Sequence, residues 1–153
     1  MKAYLSGAIE YAQDGGEAWR EEITRWLKER LNHDVFNPAL QTSTLTQEEL
    51  TNFRQWKVVD YPRFKATVRK LIQRDLEAIA HEIDYVICYW EEGVLRGGGT
   101  HGELTMAYHL GKRVFTVLGM PRREVSSWIL GCSTKEFENF EKLKAYLEQE
   151  YGS

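Results

Sequence analysis

The sequence predicts an α/β fold in which a mostly parallel sheet of about five strands carries helices on both faces, built as one domain over residues 1–153. Three observations predict it. Short apolar runs alternate with longer stretches of helical periodicity, the pattern of parallel strands joined by crossover helices. One run, Tyr85-Val86-Ile87-Cys88-Tyr89, is apolar throughout, as a central strand covered on both faces must be. A chain of 153 residues with 42% hydrophobic and 28% charged residues is large enough, and balanced enough, to bury a substantial core.

The elements follow in order. Ala3–Ile9 is a β-type run ending in small residues. From about Glu17 to Leu31, Trp19, Ile23, Trp26, Leu27 and Leu31 keep the 3–4 spacing of one buried helical face. Asp34-Val35-Phe36 is a brief strand closed by Asn37-Pro38. Thr46-Gln47-Glu48-Glu49 has the acidic first turn of a helix, so residues 39–60 are expected to form a partly helical flap or subunit contact. Pro62 suits the first turn of a helix running to about His81 and burying Phe64, Val68, Leu71, Ile72, Leu76 and Ile79. After the Tyr85–Tyr89 strand, a helix is expected from Thr100 to Leu110, with Gly111 in the left-handed position beyond its end. Arg113–Leu118 reads as a buried strand and the stretch around Ser126–Leu130 as a last one. Ser133-Thr134-Lys135-Glu136 has the spacing of a capping box for a final helix containing Phe137, Phe140, Leu143 and Leu147.

Charge and composition exclude several function classes. A net charge of -3 and a pI near 5.9 argue against an electrostatically bound nucleic acid, though not against a small anion held by backbone N–H groups. No apolar run reaches the ~18 residues of a membrane span, and the first residues lead straight into a strand pattern, so a cytoplasmic protein is expected. Cys88 and Cys132 lie in apolar runs without metal spacing and read as reduced core thiols. His33, His81, His101 and His109 form no metal pattern either.

Right-handed crossovers place the loops after each strand at one end of the sheet, where ligands bind in such folds. Ser6-Gly7-Ala8 and the stretch Gly97-Gly98-Gly99-Thr100-His101-Gly102-Glu103 should therefore face one crevice. The glycines allow close backbone approach and positive φ, and the following helix N-terminus favours an anion. The spacing matches neither a dinucleotide-binding nor a P-loop motif. Thr100 and Glu103 have capping-box spacing, yet Glu103 at the positive end of the helix dipole should stay ionised and suits a carboxylate nucleophile. Asp75, set among Leu71, Ile72 and Ile79, reads as a salt-bridged surface residue or as a second site carboxylate. Asp84 reads as a structural junction residue. Trp90 and Tyr89 offer either an aromatic wall for a base or core packing.

Together these pieces resemble the nucleoside 2-deoxyribosyltransferase family, in a superfamily that also holds nucleotide N-glycoside hydrolases. The resemblance runs from about Lys2 to Leu118, with a weaker echo at Ser127-Trp128. It is carried by Tyr4-Leu5-Ser6-Gly7, Asp75-Leu76-x-x-Ile79, Asp84-Tyr85-Val86-Ile87, and Gly99-Thr100-x-x-Glu103 followed by Ala107-Tyr108-x-Leu110-Gly111-Lys112. It implies a flavodoxin-like sheet and a double-displacement reaction, with Glu103 as nucleophile on C1′, Asp75 as acid/base and Tyr4 holding the nucleophile. Ser6, Gly7, Gly97, Gly98, Gly99 and Thr100 would bind substrate, with Trp90 beside the base. The resemblance implies no metal and no cofactor, a nucleoside or nucleotide and a free nucleobase as partners, and a homo-oligomer.

The glycines depart from the transferase pattern, in which an acidic residue that binds the sugar hydroxyls precedes the nucleophile. They are similar instead to phosphate-accepting loops of the nucleotide hydrolases and to the GGxGTxxE loop of cytokinin-activating phosphoribohydrolases. Three readings follow: deoxyribosyl transfer between bases, hydrolysis of a nucleoside 5′-monophosphate, and a non-catalytic nucleotide-sensing domain. A carboxylate pair is superfluous for the last.

Overall fold

A computed structural model describes residues 1–41 and 43–153. Its strands are β1 (Lys2–Gly7), β2 (Asp34–Phe36), β3 (Tyr85–Trp90), β4 (Arg113–Leu118) and β5 (Lys135–Phe137). Its helices are α1 (Glu17–Leu31), α2 (Gln47–Val59), α3 (Tyr61–His81), α4 (Gly99–His109), α5 (Ser127–Cys132) and α6 (Phe140–Tyr151). The strands form one five-stranded sheet in the order β2-β1-β3-β4-β5, and every pairing is parallel. The expected α/β, flavodoxin-like architecture is present.

Strand alternation sorts the core into two layers. Tyr4, Val86, Cys88, Trp90 and Val114 point to one face and pack with Ala78 and Ile79 of α3, Leu104 and Ala107 of α4, and Ile129 and Cys132 of α5. Ala3, Leu5, Tyr85, Ile87, Phe115 and Val117 point to the other and pack with Ile23 and Leu27 of α1 and Leu143 and Leu147 of α6. Each of those four helical side chains is essentially fully buried, a contribution of about 2 kcal/mol apiece. The chain leaves β1 toward β2 on one side, while β3 flanks β1 on the other. The carboxyl ends of β1 and β3 therefore bound the switch point where open sheets hold ligands.

Several elements differ from the sequence reading. The segment expected as a last strand is helix α5, which buries Ile129 and Cys132, three apart on one helical face, with Ser126 and Trp128 before them exposed. The expected capping box at Ser133–Glu136 does not form. Thr134 Oγ1 instead accepts from the Val114 N–H at 2.8 Å, and Ser133 Oγ lies 2.7 Å from Thr116 Oγ1. Those hydroxyls fasten β5 beside β4, Phe137 sits on that strand, and Asn139 caps α6 by accepting from the Lys142 N–H at 2.9 Å. Ile72, expected in the core, is half exposed. Residues 47–59 are helical, and α2 begins with a true capping box at Thr46 and Glu49. Asp84 is structural, accepting the Lys2 N–H at 2.6 Å. Both cysteines are buried free thiols.

Candidate active site

A crevice of about 420 Å³ opens at the carboxyl ends of β1 and β3. Gly7 and Ala8 line it from the first loop, Gly97–Thr100 and Glu103 from the start of α4, and Asp75 from α3. The two loops expected to share a crevice do so. A larger hollow of about 710 Å³ beside β4, β5 and α6 contains none of the candidate catalytic residues.

Glu103 is held from below by the first strand. The Tyr4 hydroxyl donates to Glu103 Oε2, and Ser6 Oγ donates to Oε1 at 3.2 Å. Residues 4 and 6 of a strand share a face, so β1 sends both hydroxyls to the one carboxyl. Tyr4 is itself immobilised, fully buried with its ring stacked on Phe36 at 5.3 Å. Burial pushes the Glu103 carboxyl up to about 8; the Asp75 charge pushes the same way, while Tyr4, Ser6 and Arg20 pull down. Burial thus opposes the ionised state that the sequence reading expected from the helix dipole. Burial and the two neighbouring carboxyls also hold the Tyr4 phenol far above its ordinary range, so it stays a donor.

Asp75 is largely buried and ion-paired to its own neighbour. Arg74 Nε donates to Asp75 Oδ1 at 2.8 Å, and Arg74 Nη2 lies 2.7 Å from the same oxygen. The guanidinium also donates from Nη1 to the Gln41 carbonyl and from Nη2 to the Pro38 carbonyl at 3.1 Å. One cation therefore fastens the loop after β2 to α3. Burial raises the Asp75 carboxyl above its ordinary value, and Arg74 opposes the rise.

Arg20 lies beneath the first loop and was not singled out from the sequence. Its side chain is fully buried, with Nη2 donating to Gly7 O at 3.0 Å and Nη1 to Gly16 O at 2.9 Å and Ala8 O at 3.2 Å. The loop is shaped around it. Gly16 has φ +72°, and a Cβ there would meet Arg20 Nη1 at 2.1 Å and Ala8 O at 2.4 Å, so only glycine fits. The sequence signal was a charged residue one turn before the buried Ile23 and Leu27 of α1.

The glycines at the start of α4 have a different basis. None of Gly97, Gly98 and Gly99 has positive φ, so the conformational freedom expected of them is unused. A Cβ on Gly98 would meet nothing, and one on Gly97 or Gly99 would make only ordinary contacts. The fold does not demand glycine there; what glycine leaves is open space along the crevice. The expected Thr100 cap is absent. Gly98 is the N-cap residue, without a side-chain cap, so Thr100 and Glu103 fall two positions too late for a capping box, and Thr100 is buried in the first turn. The residues of this helix end line the crevice, and no N-cap side chain accepts from its first N–H groups.

Two substrate-binding expectations change place. Trp90 does not line the crevice: it is fully buried, edge-on to the His101 ring at 4.9 Å, because its strand position points it under α4. Ser6 is fully buried and serves Glu103 rather than the open space. The aromatic wall comes instead from Phe53 of α2, Phe64 of α3 and Tyr11, with Leu50, Val68 and Leu71 beside them. α2 stands against α3 through Glu49, whose carboxylate accepts from Lys70 Nζ at 2.9 Å and Thr67 Oγ1 at 3.2 Å. Residues 47–59 are thus a crevice wall, a role the sequence left between flap and subunit contact. Among the described residues, no group of three or more His, Cys, Asp and Glu side chains is arranged to hold a metal ion.

No family model matches the sequence, and no curated protein sequence matches it. Solved structures do. A 2-deoxyribosyltransferase from Bacillus psychrosaccharolyticus superposes with a TM-score of 0.63 at 17% identity, covering 95% of this chain and 92% of the other. The CMP N-glycosidase BcmB of Clostridium botulinum gives 0.57 at 19% identity, over 98% and 99% of the two chains. A 2-deoxyribosyltransferase from Leishmania mexicana gives 0.59 at 18% identity, over 97% of each. The chain has the fold of these proteins along nearly its whole length.

Proposed function

We propose that this protein cleaves the N-glycosidic bond of 2′-deoxynucleosides through a covalent glycosyl-enzyme and passes the sugar to another nucleobase. The observation that carries the reading is the fixing of Glu103 by Tyr4 and Ser6 on a crevice wall shared with Asp75. Binding alone needs neither the clamp nor the second carboxyl. The shared fold with two deoxyribosyltransferases and an N-glycosidase supports the same class of bond.

In the first half-reaction a Glu103 oxygen bonds to C1′ as the C1′–N bond breaks; the bond's electron pair leaves with the base, which takes a proton from Asp75. In the second, the incoming base attacks C1′, gives its proton to Asp75, and frees Glu103. This is the retaining two-carboxyl scheme. It requires one proton on the carboxyl pair. Burial of Glu103 favours that state up to a pH of about 8, and the productive arrangement is the one with the proton on Asp75.

Incubation with deoxyadenosine and free cytosine is the direct assay. Formation of deoxycytidine that disappears in Glu103→Ala supports the reading; undiminished exchange in that variant overturns it.

A second reading, hydrolysis of a nucleoside 5′-monophosphate, is favoured by the uncapped N-terminus of α4 beside Gly97–Gly99. A dianion there would meet free N–H groups and the positive helix end. Release of deoxyribose 5-phosphate from deoxynucleotides, without base exchange, selects it. We also propose a cytoplasmic homo-oligomer: Ile72, Tyr108 and Trp128, on α3, α4 and α5 of one sheet face, are each at least half exposed. Light scattering gives the subunit number.

A further inference from the structure

Arg74 makes four contacts, and two of them end on one atom. Nε and Nη2 both reach Asp75 Oδ1, while Asp75 Oδ2 accepts no hydrogen bond among the described residues. Adjacent residues on a helix normally diverge by about 100°, yet the Arg74 guanidinium reaches Asp75 Oδ1 with two of its nitrogens. Its further hydrogen bonds, to the Pro38 and Gln41 carbonyls, hold the guanidinium in that place. The arrangement leaves Asp75 with one oxygen tied and one available, in a crevice that Arg74 and Asp75 both line.

We propose that Arg74 is a positioning residue that selects Asp75 Oδ2 as the proton-carrying oxygen and receives the charge that develops on Oδ1 when the proton leaves. The inference rests on Asp75 being the acid/base. As the C1′–N bond breaks, its electron pair goes to the base nitrogen, the Oδ2 proton follows, and the resulting carboxylate lies against a cation already in place. No reorganisation is then needed at the moment of transfer. A lone carboxyl at the same place would rotate between two equivalent oxygens. The fork removes that freedom and ties the acid to the loop after β2. The charged and titratable groups facing Asp75 are Arg74 on its own helix, Glu103 from α4 and the Tyr4 phenol from β1.

The test compares the full-length protein with Arg74→Gln, Arg74→Lys and Asp75→Asn on two substrates: deoxyadenosine, whose base needs a proton to leave, and p-nitrophenyl 2-deoxyriboside, whose phenolate does not. We expect Asp75→Asn to slow deoxyadenosine cleavage by at least ~100-fold and to leave nitrophenol release within about threefold. Arg74→Gln should show the same selectivity, losing roughly 10- to 100-fold on deoxyadenosine alone. Its acid limb in kcat/KM should also lie at higher pH, because the cation that lowers the Asp75 carboxyl is gone. Arg74→Lys should restore the limb toward its original position but not kcat, since an ammonium supplies charge without the fork. Equal losses on both substrates, or no loss, in Arg74→Gln overturn the inference while leaving Asp75 as acid. An unimpaired Asp75→Asn overturns the acid/base reading itself. Should Arg74→Gln not fold, the Arg74→Lys split between limb and kcat decides.

Discussion

The Tyr4 hydroxyl reaches Glu103 Oε2 across a separation of 99 residues, from the first strand to the first turns of α4. The phenol keeps its proton and donates it in a hydrogen bond to the carboxyl, which favours the charged form of Glu103. Tyr4→Phe removes that donor at almost constant volume. A lost hydrogen bond to a charged group costs about 1.5 to 3 kcal/mol, so kcat/KM should fall roughly 10- to 100-fold. The basic limb of the profile should also move to higher pH, as the Glu103 carboxyl rises further. Steady-state rates from pH 5 to 10 measure both.

For the parent protein, kcat/KM on a natural nucleoside should be bell-shaped, with its basic limb near pH 8. Above it the carboxyl pair loses its last proton and no acid remains for the leaving base. With the nitrophenyl substrate the rate should instead rise through the same pH, because only the ionised nucleophile matters. A nucleoside profile that climbs past pH 9 contradicts an acid role for Asp75.

Glu103 also couples stability to pH. Its carboxyl takes a proton near 4.5 when unperturbed and near 8 in the fold. The folded chain therefore binds the extra proton between those values. The stability this brings is complete below pH 4.5 and is lost as pH rises through 8. Glu103→Gln keeps the shape without the buried charge. It should be more stable than the parent at pH 9 by up to about 5 kcal/mol, and nearly equal at pH 5. Urea unfolding at the two pH values checks it; a destabilised variant at pH 9 contradicts it.

Arg20→Met should destabilise the fold by about 3 kcal/mol, leaving the carbonyls of Gly7, Ala8 and Gly16 without their donor. It should also shift the basic limb upward, since Arg20 lowers the Glu103 carboxyl. Arg20→Lys should keep the limb near its original place while losing stability. Denaturant midpoints and pH–rate profiles separate the two effects.

Gly98→Ala fills space that nothing in the chain occupies. Stability should be unchanged or up to about 1 kcal/mol higher. If a 5′-phosphate sits at the α4 N-terminus, KM for a deoxynucleoside monophosphate should rise at least roughly tenfold, about 1.4 kcal/mol, with KM for the nucleoside hardly altered. Equal KM changes for both place the sugar, not a phosphate, against the loop.

Much of this was legible in the sequence for a physical reason. Tyr85–Trp90 and Arg113–Leu118 read as central strands because both faces are buried, and the α1 stripe because its spacing is helical. Strand order alone sent the loop after Tyr4-Leu5-Ser6 and the Gly97–Glu103 stretch to one crevice, whereas Asp75 and Tyr4 were joined to Glu103 only by the family resemblance. What failed was chosen by contacts distant in sequence. The Ser133 and Thr134 hydroxyls look like caps until β4 supplies other partners. Trp90 looks like a ligand wall until α4 covers it. Arg20 drew no reading from the sequence, because nothing local shows that three carbonyls close around it. Local sequence carries propensity; it does not carry the partner.

One feature of the fold bears on how such a protein changes over time. Tyr4, Asp75 and Glu103 stand on β1, α3 and α4, elements that also build the sheet's packed layers. Phe53 and Leu50 belong to α2, which contributes no side chain to either layer. Substitutions at Leu50 and Phe53 can therefore reshape part of the apolar side of the crevice without disturbing the packed layers that carry Tyr4, Asp75 and Glu103. The helix after the second strand is the adjustable part, and the place where an engineer would start.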